Sequence, residues 1–393
     1  MREAVIVSAV RTPVGRARSG LFAETRPEDL GAAVLSEALR RASGWPADLL
    51  DDCMLGCAKQ EGAQGRNLAR LCVLHAGFPA SVPGMTVNRF GLSGLQALAL
   101  AADAVRTGSA NSVIAGGIES LSRFPPEDDG QRPHPELLER YPAAYLAAGY
   151  AAETVARRYG VSRQRQDRYA AESRRKAAQA VREGRFAPEI VALNAVRTVV
   201  DGEGIAGPAW REAAEDDLDQ PPPTEEELAA LPPAFTRHGT VTAGNSAPPG
   251  DAAAAMLVTT RELAERMGAR PLAGFRSFAV AATAPEIGGM GASYAVPQAL
   301  ERAGLRESDI RLWEIGETFA AESVPLLERL DIDPALVNVN GGGLALGHPV
   351  GCTGARLAVT LLHELSRRGG GFGAVALGSP GGMGAAAVFE VYA

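Results

Sequence analysis

Bulky aromatic side chains and sulfur are scarce in this sequence: 5% of its 393 residues are aromatic and four are cysteine. Cys53, Cys57, Cys72 and Cys352 cannot form the disulfide scaffold of a small secreted protein in a chain this long. No Cys or His pair lies close enough to Cys53 and Cys57 to complete a zinc set, so the thiols read as small buried groups and no metal is expected. A basic block is also missing. The 39 Lys and Arg are scattered among 46 Asp and Glu, for a formal charge of -7, which excludes a nucleic-acid partner. No apolar stretch runs uninterrupted for about 18 residues, so no membrane segment is expected. The opening Met1-Arg2-Glu3-Ala4-Val5-Ile6-Val7-Ser8 has neither the length nor the cleavage pattern of a secretion signal, and a cytoplasmic protein is expected.

What is present is glycine, 45 residues of it, in a chain that is 46% hydrophobic. Close backbone packing must then supply what large side chains supply elsewhere, which favours a layered α/β design of two or three domains. Ala4 to Val10 reads as a buried strand and 28 to 43 as an amphipathic helix. Cys53 to Cys57 reads as a strand, Asn67 to Ala76 as a helix, Thr86-Val87-Asn88 as a strand entering Gly91-Leu92-Ser93-Gly94, 94 to 107 as a helix and Ser112 to Ala115 as a strand. Composition shifts after Ser120: Phe124 to Pro135 and Gln220 to Pro223 are Pro-rich, with helices at about 148 to 160 and 163 to 182 between them. A helix-like apolar run follows from Asp251. Later, Val337-Asn338-Val339-Asn340 enters Gly341-Gly342-Gly343 and a helix from about Cys352 to Arg367, repeating the logic of Thr86 to Thr107. That repetition predicts an internal duplication, with two Gly-rich turns aiming helix N-terminal amides at one crevice.

Gly347-His348-Pro349-Val350-Gly351 is the most informative local feature. Alone, such a turn is more often structural; its surroundings change the reading. Val337 to Gly343 upstream and Gly381-Gly382-Met383-Gly384 downstream resemble the C-terminal signature of thiolases. The resemblance covers nearly the whole chain, through Ser8 to Pro13, Val87-Asn88-Arg89-Phe90, Ser93 to Ala97, Ala115 to Ser120 and Gly239 to Asn245, in the family's order. It implies an α/β thiolase-like fold of two similar layered α-β-α-β-α core halves, residues 1–118 plus 250–272 and residues 273–393, with a loop domain inserted at 119–249. It further implies a homodimer or homotetramer and acyl transfer between coenzyme A thioesters by Claisen chemistry.

That chemistry needs a nucleophilic thiolate, a histidine to activate it, and a second cysteine to move the proton at the α-carbon. In the family the nucleophile follows the Asn-Arg-Phe block; here that position is Gly91, and the place of the second cysteine is Gly378. The asparagine that holds a water at one oxyanion hole is replaced by Gly316, in Gly316-Glu317-Thr318-Phe319-Ala320. An amide donor of the other hole falls at Pro380, which has no N–H. Losing one oxyanion donor costs about 10²- to 10³-fold in rate, so the ordinary reaction is not expected. The family's pantetheine-contacting serine falls at Ala247, which weakens coenzyme A binding; no tightly bound cofactor is implied. Ser246, Ala247, Phe319 and Met290 are the candidates to line the crevice. The three glycines at 91, 316 and 378 are expected to widen it.

His348 remains as a candidate base. Ser93 reads as a helix cap, Cys352 as a packing residue, Tyr294 as a packed aromatic, and Ser379, beside Gly378, as a residue able to face the crevice. The leading expectation is acyl transfer, or C–C cleavage of retro-Claisen or retro-aldol type, on an acyl thioester or related acyl substrate, with His348 as base and no covalent cysteine intermediate. The alternative is an inactive thiolase-fold subunit that scaffolds a partner enzyme. A residual thiolase working through Cys352 ranks last.

Overall fold

The computed structural model describes residues 2–124, 133–200 and 205–393. Strand β1 (Ala4–Arg11) is buried along its whole length, as an apolar run without alternation requires of a strand covered on both faces. After the short β2 (Gly15–Arg16), helix α1 (Pro27–Arg41) opens on a proline with Glu28 and Asp29 in its first turn and closes on Arg40 and Arg41, charges that suit its dipole. Then come β3 (Asp52–Gly56), α2 (Leu68–His75), β4 (Met85–Val87), α3 (Ser93–Thr107) and β5 (Ser112–Ser120). The Asn67 side chain caps α2 by accepting the Arg70 N–H.

Between β5 and the next sheet strand lie α4 (Pro135–Arg140), α5 (Ala148–Arg158), α6 (Arg163–Arg182), a hairpin of β6 (Leu193–Val200) and β7 (Ala206–Ala213), and α7 (Glu225–Ala229). Most of the Pro-rich stretch from Phe124 to Pro135 lies outside the described residues. The run from Asp251, expected to be helical, is strand β8 (Gly250–Thr260), buried at every position. Alanine's helix propensity loses here, because Ala252 to Ala255 lie between β5 and β1, where small side chains allow close packing on both faces. Helix α8 (Arg261–Arg266) leads to β9 (Ala273–Ala282), α9 (Ala292–Ala303), β10 (Ile310–Ile315), α10 (Ala320–Arg329), α11 (Gly343–Leu346), α12 (Thr353–Arg367), β11 (Gly371–Ser379) and β12 (Met383–Val391).

The strands other than β6 and β7 form one sheet in the order β10-β11-β12-β9-β1-β8-β5-β3-β4, with β2 on β8. Each half repeats one topology. In the first, β3 runs parallel to β5, and β8 is antiparallel to both β5 and β1. In the second, β10 runs parallel to β11, and β12 is antiparallel to both β11 and β9. The expected duplication is therefore present in the pairing pattern, and the two halves meet where Val5 and Ile6 of β1 pair with Gly274 and Ala273 of β9.

Helices α3 and α12 hold equivalent places and pack on each other over this seam, in a core that includes Leu95, Leu98, Leu357, Leu361 and Phe389. Their N-terminal turns touch closely: a Cβ on Gly94 would lie 2.9 Å from the Gly351 carbonyl, and one on Gly354 would lie 2.8 Å from the Leu95 Cβ. Only glycine permits that approach, and it brings both helix starts to one place. Among the described residues no helix is long and apolar enough to cross a membrane.

Candidate active site

His348 sits between α11 and α12. Gly347 turns the chain with φ +101°, a conformation closed to other residues without strain, and the His348 N–H then donates to the Pro248 carbonyl at 2.8 Å. The imidazole Nδ1 is 2.8 Å from the Thr353 Oγ1, and that hydroxyl donates its one proton to the Pro349 carbonyl at 3.0 Å. Thr353 must therefore accept from Nδ1–H, which leaves the lone pair on Nε2. Burial, reinforced by the positive charge of Arg356, holds the imidazolium down from 6.5 to about 4. The ring is neutral at neutral pH.

Gly91 lies against this ring. A Cβ on Gly91 would stand 3.7 Å from His348 Cε1, 3.8 Å from Ser379 Oγ and 3.9 Å from Val350 Cγ1, so the position has ordinary room for a side chain. The Gly91 N–H donates to Ser379 Oγ at 3.3 Å. The other two glycines do not widen the crevice as expected. A Cβ on Gly378 would lie 2.3 Å from the Gly289 carbonyl, and one on Gly316 would lie 2.6 Å from the Leu377 Cβ. Backbone of the turn 285–291 and a β11 side chain occupy the space that side chains at those positions would need. Met290 is fully buried in the core beneath α9 and does not line the crevice; its neighbour Gly289 does.

Gly378, Ser379 and Pro380 line a small cavity together with Thr318, Phe319 and Glu322. Glu322, which no motif marks, is pushed up by burial to about 8 and takes a hydrogen bond from the Gly289 amide. It is a protonated acid at neutral pH. Ser246 and Ala247 border the same region through backbone: Ser246 bridges Phe319, and the Ala247 N–H donates to the Thr318 carbonyl at 2.9 Å. Phe319 is 7% exposed and packs edge-on against Phe235, their centroids 5.9 Å apart.

Two buried carboxylates hold these loops. Glu119 accepts the amides of Gly351 (2.7 Å), Ala58 (3.0 Å) and Lys59 (3.2 Å) and the Gln64 Nε2 (3.0 Å), fixing the histidine turn to the first half. Glu317 accepts from Ser173 (2.7 Å), Asn338 (2.6 Å) and Tyr169 (3.1 Å), fixing the Gly316 loop to α6 and the Asn338 turn. Ser93 does not cap α3; its Oγ accepts the Arg89 N–H and donates to the Phe90 carbonyl, securing the turn before Gly91, and Leu92 is the cap residue. Tyr294 is 37% exposed beneath the Arg329 guanidinium, on the surface. The four cysteines are fully buried, with every thiol held above its ordinary range by desolvation; Cys352 is pushed up to about 12 and packs in the core under α3 and α12. No group of His, Cys, Asp and Glu able to hold a metal occurs among the described residues.

The glycine geometry makes a prediction. Gly91→Cys should change stability by less than about 0.5 kcal/mol and react with iodoacetamide, whereas Gly378→Cys should cost about 1–3 kcal/mol because the turn 285–291 must shift. Urea unfolding with intact-mass readout of alkylation checks both.

Comparison with known proteins agrees with this architecture. Residues 4–262 match the thiolase N-terminal domain and residues 269–391 the thiolase C-terminal domain. The chain belongs to the thiolase family. It is similar to a 3-ketoacyl-CoA thiolase of Bacillus subtilis, 46% identical over 391 residues and covering 100% of both chains. It is also similar to the peroxisomal 3-ketoacyl-CoA thiolase B of Mus musculus, 42% identical, covering 99% of this chain and 91% of the other. The crystal structure of the Bacillus anthracis acetyl-CoA acetyltransferase superposes with a TM-score of 0.88 at 35% identity, covering 100% of this chain and 99% of that one.

Proposed function

We propose that this chain is a thiolase-type acyltransferase acting on acyl-CoA or related acyl thioesters, with His348 as its base and without a cysteine intermediate. The observation that carries the reading is the state of His348: a neutral imidazole, its Nδ1–H tied to Thr353, with its ring beside Gly91. A base so arranged takes a proton at Nε2 from a nucleophile or from a substrate hydroxyl or α-carbon, which serves either acyl transfer or C–C cleavage of retro-Claisen or retro-aldol type. Glu322 is the matching acid, protonated and facing the cavity beside Gly378. With no side chain at 247 beyond a methyl, coenzyme A is held less firmly than a serine there would hold it. A homodimer through the segment 88–96, or a tetramer built from it, belongs to the same reading, since β4 ends the sheet and Met85 and Phe90 are 37% and 43% exposed. Core halves at 1–118 plus 250–272 and at 273–393, with an insert at 119–249, belong to the same proposal, although strand β5 runs on to Ser120.

A panel of acyl thioesters assayed for thiol release tests the function, with wild-type protein compared to His348→Ala; identical profiles would remove His348 from the mechanism. A specific pH dependence follows. Activity requires His348 neutral and Glu322 protonated, so kcat/KM should be flat between about pH 4 and pH 8 and fall on either side. Glu322→Gln should remove the alkaline limb. An acid limb near pH 6.5 would place the essential base elsewhere. In stability, keeping His348 neutral contributes fully above pH 6.5, and that contribution is lost as pH falls toward 4.

A scaffold subunit is the second reading, favoured by Pro380, which offers no amide where a donor is needed. A stable homo-oligomer that turns over a thioester by itself decides against it.

A further inference from the structure

We infer that Ser379 is the acyl acceptor of this site, forming a serine ester where the family's reaction uses a cysteine thioester. The inference rests on the reading of His348 as base and names the nucleophile that base would serve. Ser379 is the last residue of β11, 3% exposed, and its Oγ reaches across the crevice to accept the Gly91 N–H at 3.3 Å. The point where a Gly91 Cβ would sit is under 4 Å from both the Ser379 Oγ and the His348 ring, and Gly91 places no atom there. Glycine at 91 thus leaves open a space that the imidazole and the hydroxyl both border. A buried hydroxyl that receives a backbone N–H, and that borders together with a neutral imidazole the space Gly91 leaves empty, is placed to act as an oxygen nucleophile when a substrate fills that space. The Cys352 thiol is instead fully buried among apolar side chains.

The step balances without any further cofactor. Nε2 takes the Oγ proton as Oγ bonds to the thioester carbonyl carbon; the C–S bond breaks, and the imidazolium returns the proton to the departing sulfur. The products are a free thiol and an O-acyl serine. Water or an incoming thiol then attacks the ester with the same base, and Oγ recovers its proton.

The test incubates wild-type protein with acetyl-CoA or hexanoyl-CoA, quenches in acid, and reads intact mass and the modified peptide. The expected result is one added acyl group located on Ser379, stable to neutral hydroxylamine. Ser379→Ala should lose the adduct and reduce thiol release by roughly 10³-fold or more. Ser379→Cys should restore an adduct, now a thioester that neutral hydroxylamine removes, and this variant separates lost chemistry from lost folding. An adduct on another residue, or wild-type turnover in Ser379→Ala, overturns the inference while leaving His348 as base if His348→Ala remains inactive. Absence of any His348-dependent turnover overturns both.

Discussion

His348→Ala should lower kcat/KM for thioester turnover by about 10²- to 10⁴-fold, the usual contribution of a positioned general base, while leaving the fold intact. The geometry argues for so large an effect because Thr353 fixes the ring, and the other atoms nearest the point where a Gly91 side chain would begin, Ser379 Oγ and Val350 Cγ1, belong to no base. Thr353 acts through the histidine by fixing its tautomer. Thr353→Val should cost less, about 10-fold, in line with one neutral hydrogen bond of roughly 1 kcal/mol, whereas Thr353→Ser should keep the bond and the rate. Steady-state kinetics on the three variants give the comparison. A His348→Ala enzyme within twofold of wild type would show that the ring is structural.

The second large effect is on stability. Glu119→Leu should destabilise the protein by at least about 3 kcal/mol, because three backbone amides and the Gln64 side chain would lose their acceptor in a site with no solvent. Glu119→Gln keeps an acceptor oxygen and should cost about half as much. The damage is also functional. Gly351 belongs to the turn that carries His348, so the leucine variant should lose turnover out of proportion to its unfolded fraction. Urea unfolding read beside activity in low denaturant tests this; an unfolding midpoint within error of wild type would show that Glu119 is not the anchor.

Part of this arrangement is legible in the sequence. The Gly-His-Pro turn, the ordered blocks from Ser8 to Gly384 and the repeated strand, Gly-turn and helix pattern locate His348, the Gly91 turn and the duplication, because backbone geometry at glycine and proline is set locally. What is not legible depends on contacts between distant segments. Spacing shows that positions 316 and 378 carry no side chain, but Leu377 and the Gly289 backbone take up the room, and only the fold brings them there. Ser379 adjoins a glycine in sequence, yet its partner Gly91 is 288 residues away; Glu119 and Gly351 are separated by 232. Glu322 stands in no recognisable motif, and its protonation follows from burial alone. Ala252 to Ala255 read as helix for the complementary reason, since local propensity favours it and only the neighbouring strands β5 and β1 decide otherwise.

The central claim is that acyl transfer here needs no thiol. Its most direct measurement is thioester turnover by the native protein before and after exhaustive treatment with iodoacetamide, with intact mass to count the thiols modified. Unchanged turnover, with Cys53, Cys57, Cys72 and Cys352 unmodified in their buried positions, is the predicted result. Inactivation in step with carboxamidomethylation of any one cysteine would contradict it.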